Sequence, residues 1–342
     1  MRALVLNDTS SSNHFGCYVV MSKIHEALTE RGFSNNCYFP SWGNLEALMK
    51  AVEGTRFDLI LVNGEGTVHN TDERPYAKDL IAIAARLSKN MGAPLHIANA
   101  SFFNLDAQTL SLLATFDSVY VRETVSQNYL EQHSIRSRFA PDLSFLYPYR
   151  VAPVRNQGTL CTDSVNPEVS ELLRDISRFR NFNFLTLEPR RKNSLLKRGY
   201  GKLKRVMLGL SKPQHLLSKE PRAIPCGFHS YIDALTTSKA VLTGRFHTAT
   251  MAIATRTPFL AIESNTPKIS AVLLDVFGED SRQIESGVFT QDATELAEVS
   301  PYSSEELQKI EDYMDLSVMR AREMFDEISM HSTSLSSWSN RV

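Results

Sequence analysis

Long apolar runs are what this sequence most obviously lacks. No stretch approaches the ~18 continuous apolar residues that a membrane-spanning helix needs, so the 342-residue chain is expected to be soluble or at most peripheral. Met1 to Asp8 reads as a first β-strand and not as a signal peptide, because its apolar run is too short. Net charge is nearly absent as well. Against 37 Lys and Arg stand 38 Asp and Glu, a formal balance of −1, which argues against a nucleic-acid partner held by the field of the whole molecule. Cysteine is scarce: Cys17, Cys37, Cys161 and Cys226 are far apart, and no pair has metal-ligand spacing. Cys37 and Cys161 sit in strand-like apolar runs, where cysteine acts as a small hydrophobe. All four are read as reduced thiols of a cytoplasmic protein, and no ligand cluster for a metal is visible.

What the chain does have is apolar content, 42% of its residues, in a length beyond the ~250–300 residues at which single cores stop growing. Strand and helix patterns alternate. Ala3–Leu6, Asp58–Val62, Leu95–Ala98 and Ser118–Val121 read as strands, the second continuously apolar as in a strand buried on both faces. Tyr18–Leu28, Tyr76–Leu87 and Glu123–Gln132 have helical spacing. Pro141, Pro148 and Pro153, with Gly158 just beyond, mark a boundary near residue 155. The alternation then restarts with strands Gly158–Thr162, Phe182–Leu187, Ala240–Thr243 and Phe259–Ile262 and helices His247–Ala254 and Lys268–Phe277. A long helical pattern, Ser304–Ile328, closes it, and the Ser-rich 331–342 reads as a disordered tail. The expected fold is α/β: two Rossmann-like domains, 1–154 and 155–330, with parallel sheets and flanking helices, facing a cleft in a GT-B-like arrangement.

The strongest site signal is Thr243-Gly244-Arg245-Phe246-His247-Thr248. A buried strand ends and a helix begins there, so backbone N–H groups and the helix dipole both favour an anion. Gly244 permits close backbone approach, Arg245 supplies a fork for carboxylate or phosphate, and His247 can move a proton near neutral pH. The same residues also fit an ordinary helix start with a surface Arg and a capping His. A second strand-to-helix turn follows Phe259–Ile262 and carries Lys268. In the first half, Asn63-Gly64-Glu65-Gly66-Thr67 follows a buried strand and presents one carboxylate between two glycines. Asn99 and Ser101 end the next strand. Arg122 and Glu123 end another, and serve equally well as a structural pair.

The block from Thr243 to Lys268 resembles the polysaccharide pyruvyl transferase family, which shows a Gly-Arg-aromatic-His turn, a small-residue helix, a proline-led strand and a loop Lys; Arg245, His247 and Lys268 match. Val121-Arg122-Glu123 with Ser126 and Leu130, and Pro141-Asp142-Leu143-Ser144-Phe145, also look like the family. The resemblance implies transfer of pyruvate from phosphoenolpyruvate, as donor substrate and without cofactor, onto two hydroxyls of a sugar in a bacterial surface glycan or its lipid-linked precursor. His247 and Glu65 are then the candidate acid and base, and Arg245, Lys268, Gly244, Thr248 and Arg122 the donor site. Asn63, Gly64, Gly66, Thr67, Asn99 and Ser101 form the acceptor wall. The chain departs from the family in its first loop, where His14-Phe15-Gly16-Cys17 replaces an Asn-x-Gly-Asp element. His14 is either a further acid/base or part of a polar helix entry.

Two rivals remain: a glycosyltransferase using a nucleotide-activated sugar, a CMP-linked acidic one included, and a non-catalytic glycan-binding relative. Finally, Pro189–Arg222 holds eleven cations against Glu220, with leucines interleaved. It reads either as a basic amphipathic helix on an anionic membrane or as a solvated helix with its apolar face on the core.

Overall fold

The structure is a computed structural model that describes residues 1–12, 14–66, 68–152, 154–187, 216–284 and 299–339. Thr67 and residues 189–215 of the basic segment lie outside them.

Two parallel sheets form the molecule. The first holds β1 (Ala3–Asp8), β2 (Cys37–Pro40), β3 (Leu59–Asn63), β4 (Leu95–Ala100), β5 (Ser118–Val121) and β6 (Arg138–Phe139), in the order β2-β1-β3-β4-β5-β6. The second holds β7 (Gln157–Ser164), β8 (Asn183–Leu185), β9 (Ser238–Gly244), β10 (Phe259–Ile262) and β11 (Gln283–Ile284), in the order β11-β10-β9-β7-β8. Every residue of β1, β3 and β4 is buried, which is why Ala3–Leu6 and Leu59–Val62 are apolar without alternation; the polar residues of these strands, His96 apart, stand toward their carboxyl ends. All strands of each sheet run parallel, and the order in which the chain adds them switches sides at one place: between β1 and β3 in the first, and between β7 and β9 in the second. Doubly wound sheets open a crevice at the carboxyl ends of strands at such switch points, and both crevices here carry site residues.

The helices covering the sheets are α1 (Phe15–Glu30), α2 (Leu45–Ala51), α3 (Pro75–Met91), α4 (Ala107–Leu113), α5 (Thr124–Gln132), α6 (Pro167–Phe179), α7 (Gly227–Thr237), α8 (Phe246–Ala254), α9 (Lys268–Phe277) and α10 (Ser304–Ser339). Local signals set several starts. Asn44, Asp106 and Asn166 accept from backbone N–H groups of the first turns of α2, α4 and α6, and Pro75 and Pro167 open α3 and α6.

Two features join the halves. Phe15 and Val19 of α1 lie in one apolar cluster with Phe228, Tyr231 and Phe246 of the second half. α10 starts against the second sheet through Ile310 and Tyr313 and ends on the first, where Ala321, Met324, Phe325 and Ile328 pack with Ala3, Val5, Val20 and Ile24. The chain segment after residue 155 therefore contributes to both cores. The expected disordered tail is corrected in part, because α10 stays helical to Ser339. The four cysteines are free, and among the described residues no helix is long and apolar enough to cross a membrane.

Candidate active site

From the second sheet, β9 ends at Gly244, and α8 begins one residue later with Arg245 as its N-cap. A Cβ on Gly244 would lie 2.5 Å from Cβ of Ser164, its partner on β7. The glycine thus lets two strand ends close together, and its role here is packing. Arg245 is buried, with Nη2 donating to Asp163 Oδ2 at 2.5 Å. Asp163 is the penultimate residue of β7, and its Oδ1 accepts from the Leu187 N–H at 3.0 Å. One residue into α8, His247 points toward the first sheet: its Nε2 is 3.3 Å from Glu65 Oε1 and 3.8 Å from Asp142 Oδ1. Lys268 opens α9 and donates to Asn265 Oδ1 at 3.0 Å. The N-terminus of α9 already has an anion, because Glu263 accepts from the N–H groups of Ile269 and Ser270 at 3.2 and 2.9 Å.

From the first sheet, the loops after β1 and β3 meet. Thr9 Oγ donates to Glu65 Oε2 at 2.6 Å, and the Glu65 N–H donates to Asn63 Oδ1 at 3.2 Å. Arg122, 2% exposed, directly follows β5: Nη1 donates to Asp142 Oδ2 at 2.9 Å, Nε to Ser101 Oγ at 2.7 Å, and the guanidinium lies 4.2 Å from the Phe246 ring centroid. His14 caps α1 by accepting from the Cys17 N–H at 3.4 Å, with its ring 5.2 Å from that of His247. Gly16 lies against the same histidine; a Cβ there would be 2.2 Å from His247 Cγ.

These groups line one cavity of about 320 Å³, bounded by Thr9, His14, Glu65, Gly66, Arg74, Arg122, Arg245, Phe246, His247 and Lys268 among others. His247, Glu65, His14, Arg245, Lys268, Arg122 and Gly66 thus line one cavity. Other expected residues are placed differently. Asn63 bonds the Asn7 carbonyl and Thr9, and Asn99 bonds Asp142 and the Leu143 N–H. Gly64 packs against Ala100, and Thr248 bonds the Tyr231 hydroxyl at 2.8 Å. None of the four lines the cavity. Ser101 is turned to Glu123 and Arg122 and borders an adjoining cleft beside Lys268. Polar residues at buried strand ends must first satisfy the turn that follows, and these do so. Asp142 and Asp163, which hold the two arginines, carried no role in the sequence reading. Asp142 stood within a quoted motif, whereas Asp163 had no signal beyond its place at a strand end.

The electrostatics follow from burial and neighbours. Burial lowers the His247 pKa, although Asp142 and Glu65 pull it back up. His14 is pushed well down, first by burial and then by His247, Arg245 and Lys268. Burial alone would raise Asp142, but His247, Arg122 and its bonds to Ser144 hold it below the usual carboxylate range. Lys268 is lowered to about 8, mainly by burial and by Arg122, against the opposing pull of Glu263. A cavity with four cations, one lining carboxylate and histidines held toward neutrality suits a small polyanion. Among the described residues no group of three or more His, Cys, Asp or Glu is placed to hold a metal ion.

With this geometry in hand, the decisive comparison is with family sequence patterns: that of the polysaccharide pyruvyl transferases matches residues 12–266. The chain belongs to the polysaccharide pyruvyl transferase family. The match spans both site-bearing crevices, so the family assignment covers Glu65 and Arg245 alike. Among solved structures, this pyruvyl transferase family member is similar to a UDP-GlcNAc 2-epimerase from Neisseria meningitidis, at 12% identity, 100% coverage of each chain and a TM-score of 0.50. It is also similar to a UDP-glucosyltransferase from Polygonum tinctorium, at 10% identity, 97% and 98% coverage and a TM-score of 0.47. A third likeness is to a functionally uncharacterised protein from Klebsiella pneumoniae, at 13% identity, 83% coverage of this chain and 92% of that one, and a TM-score of 0.42. The first of these shows a shared two-sheet fold of the GT-B kind and nothing of the chemistry. None of the curated proteins compared matches the chain.

Proposed function

We propose that the protein transfers pyruvate from phosphoenolpyruvate, as a ketal, onto two hydroxyls of one sugar in a bacterial surface glycan or its lipid-linked precursor. The observation that carries this reading is the convergence of Arg245, Lys268 and Arg122 with the His247–Glu65 contact in one cavity. Phosphoenolpyruvate bears a phosphate and a carboxylate on a three-carbon frame, and several cations closing on a small space suit it. On this reading Glu65 takes the proton of an acceptor hydroxyl. The 3.3 Å contact passes it to His247, which delivers it to the methylene carbon of the donor as the hydroxyl oxygen bonds to C2. The second hydroxyl then displaces the phosphate, giving up its proton as inorganic phosphate leaves. Atoms balance: the methylene becomes a methyl, and two C–O bonds to the sugar replace the C=C π bond and the C–O bond to phosphate. Arg245 and Lys268 stabilise the departing charge.

Incubation with phosphoenolpyruvate and a sugar acceptor, followed by phosphorus and proton magnetic resonance, tests this. Acceptor-dependent conversion to inorganic phosphate with a new methyl singlet is the expected result. Turnover of a nucleotide sugar under the same conditions, with phosphoenolpyruvate untouched, would replace it with glycosyl transfer.

A further inference from the structure

Trp42 takes no part in the reading above, yet the chain places it with some effort. It is one of two tryptophans in the sequence, it lies at the cavity just after β2, and it is 61% exposed. Its φ is 59°, in the left-handed region where a bulky side chain is an outlier. The Gly43 N–H donates to the Pro40 carbonyl at 3.1 Å. Pro40–Gly43 is therefore a β-turn with Trp42 third, a place where positive φ is normally met by glycine or asparagine. The glycine comes one residue later, and there a Cβ would lie 2.5 Å from Cζ of Phe39. The Ser41 N–H, bonded to the Asp8 carbonyl at 2.9 Å, ties the turn to the end of β1. Strain of this kind is kept where the surroundings impose it, and it clusters at ligand sites.

The indole gains little burial in return, but it is held in orientation. Tyr76 stacks on it, with ring centroids 4.6 Å apart and planes 28° apart, and the Arg74 guanidinium lies 5.5 Å from its centroid. Arg74 also bonds His69 and, at 3.4 Å, the Gly66 carbonyl. The platform is thereby joined to the loop that carries Glu65.

We propose that Trp42 is a stacking platform for the pyranose ring of the acceptor, orienting its hydroxyls toward Glu65 and His247. A pyranose presents a C–H face that packs on an indole, with hydroxyls at its rim. A nucleobase also stacks on indole, but of the three cations read as the donor site Arg245 and Lys268 come from the second sheet, and Arg122 is turned to Asp142. Trp42 stands on the first-sheet wall with Glu65. The proposal rests on the pyruvyl-transfer reading for the fate of the hydroxyls, and ring binding can be read without it.

Replacing Trp338 by Phe leaves Trp42 as the sole indole, so its emission reports on its own surface. Methyl glycosides of glucose, galactose, mannose and N-acetylglucosamine are titrated in, and CMP and UDP in parallel, with no phosphoenolpyruvate present. At least one glycoside should change the emission saturably, and the nucleotides should not. Trp42→Gly should weaken binding of that glycoside roughly tenfold, the worth of a good aromatic contact. It should raise the acceptor KM and lower kcat as the ring loses its orientation, while leaving the phosphoenolpyruvate KM nearly unchanged, and Trp42→Phe should retain most of the affinity. Its melting temperature should hold or rise, because glycine adopts positive φ without strain. The proposal is overturned if no glycoside perturbs Trp42, if only a nucleotide does, if Trp42→Gly binds the glycoside as well as the native protein, or if that variant melts well below it. Glycoside binding in a protein that ignores phosphoenolpyruvate in a thermal-shift assay would keep the platform and discard pyruvyl transfer.

Discussion

Replacing Arg122 by Leu removes the cation on which one side of the site is built. Its side chain is 2% exposed and bonds Asp142 at 2.9 Å and Ser101 at 2.7 Å, with Glu123 at 3.8 Å. Asp142 and Glu123 are themselves buried; burial already raises Glu123 to about 7, so it can take a proton when Arg122 is lost, and Asp142 is the charge left stranded. Breaking one buried pair from one side costs about 3–5 kcal/mol, and urea denaturation should show a loss in that range. Adding Asp142→Asn removes the stranded charge, so the double variant should regain about 1 kcal/mol or more over Arg122→Leu alone. Arg122 is also among the charges that hold the His247 pKa down. Without it His247 gains its proton at higher pH, and the acid limb of kcat/KM should move up the pH scale. A loss below about 1 kcal/mol for a buried ion pair, or a double variant no more stable than the single one, would refute the reasoning.

Lys268, lowered to about 8, is charged at neutral pH and loses its proton as pH rises through that value; the donor KM should climb above pH 8, and Lys268→Arg, charged throughout, should abolish that rise. Gly16→Ala would put a methyl group 2.2 Å from His247 Cγ; displacement of the ring should cut kcat by up to ~10²-fold while phosphoenolpyruvate still binds by calorimetry. His96 is fully buried against Ser118, and burial pushes its pKa to about 3. Below pH 6.5 the unfolded chain takes up a proton that the folded one refuses, so stability falls by ~1.4 kcal/mol per pH unit, about 2 kcal/mol at pH 5. His96→Gln should remove that ~2 kcal/mol share of the loss between pH 7.5 and 5 in urea melts, leaving the shares of His14, His69 and His247, whose pKa values are also lowered.

Much of the fold was legible because its inner strands are short, continuous apolar runs. Leu59–Asn63 and Phe259–Ile262 nearly coincide with the expected strands. α6 went unread although Asn166 and Pro167 mark its start, and the path of α10 from one core to the other has no local signature. In the site, Arg245, His247 and Glu65 were readable because each stands where a buried strand gives way to a loop or helix. Their supports were not. Asp163 meets Arg245 across a sequence separation of 82, and nothing in its neighbours announces the contact. The reverse error has the same root: Asn63, Asn99 and Thr248 occupy positions that suit ligand contact, but the two asparagines are consumed by the loops they brace and Thr248 by the Tyr231 hydroxyl of α7.

The central claim is a cationic donor site for phosphoenolpyruvate built on Arg245, and titration calorimetry tests it directly. Phosphoenolpyruvate should bind the native protein, and Arg245→Ala should weaken it by about tenfold or more, as expected for a lost charge-assisted bond of roughly 1.5–3 kcal/mol. Tight binding of UDP or CMP with no heat from phosphoenolpyruvate, or equal phosphoenolpyruvate affinity in the folded Arg245→Ala variant, would contradict the account.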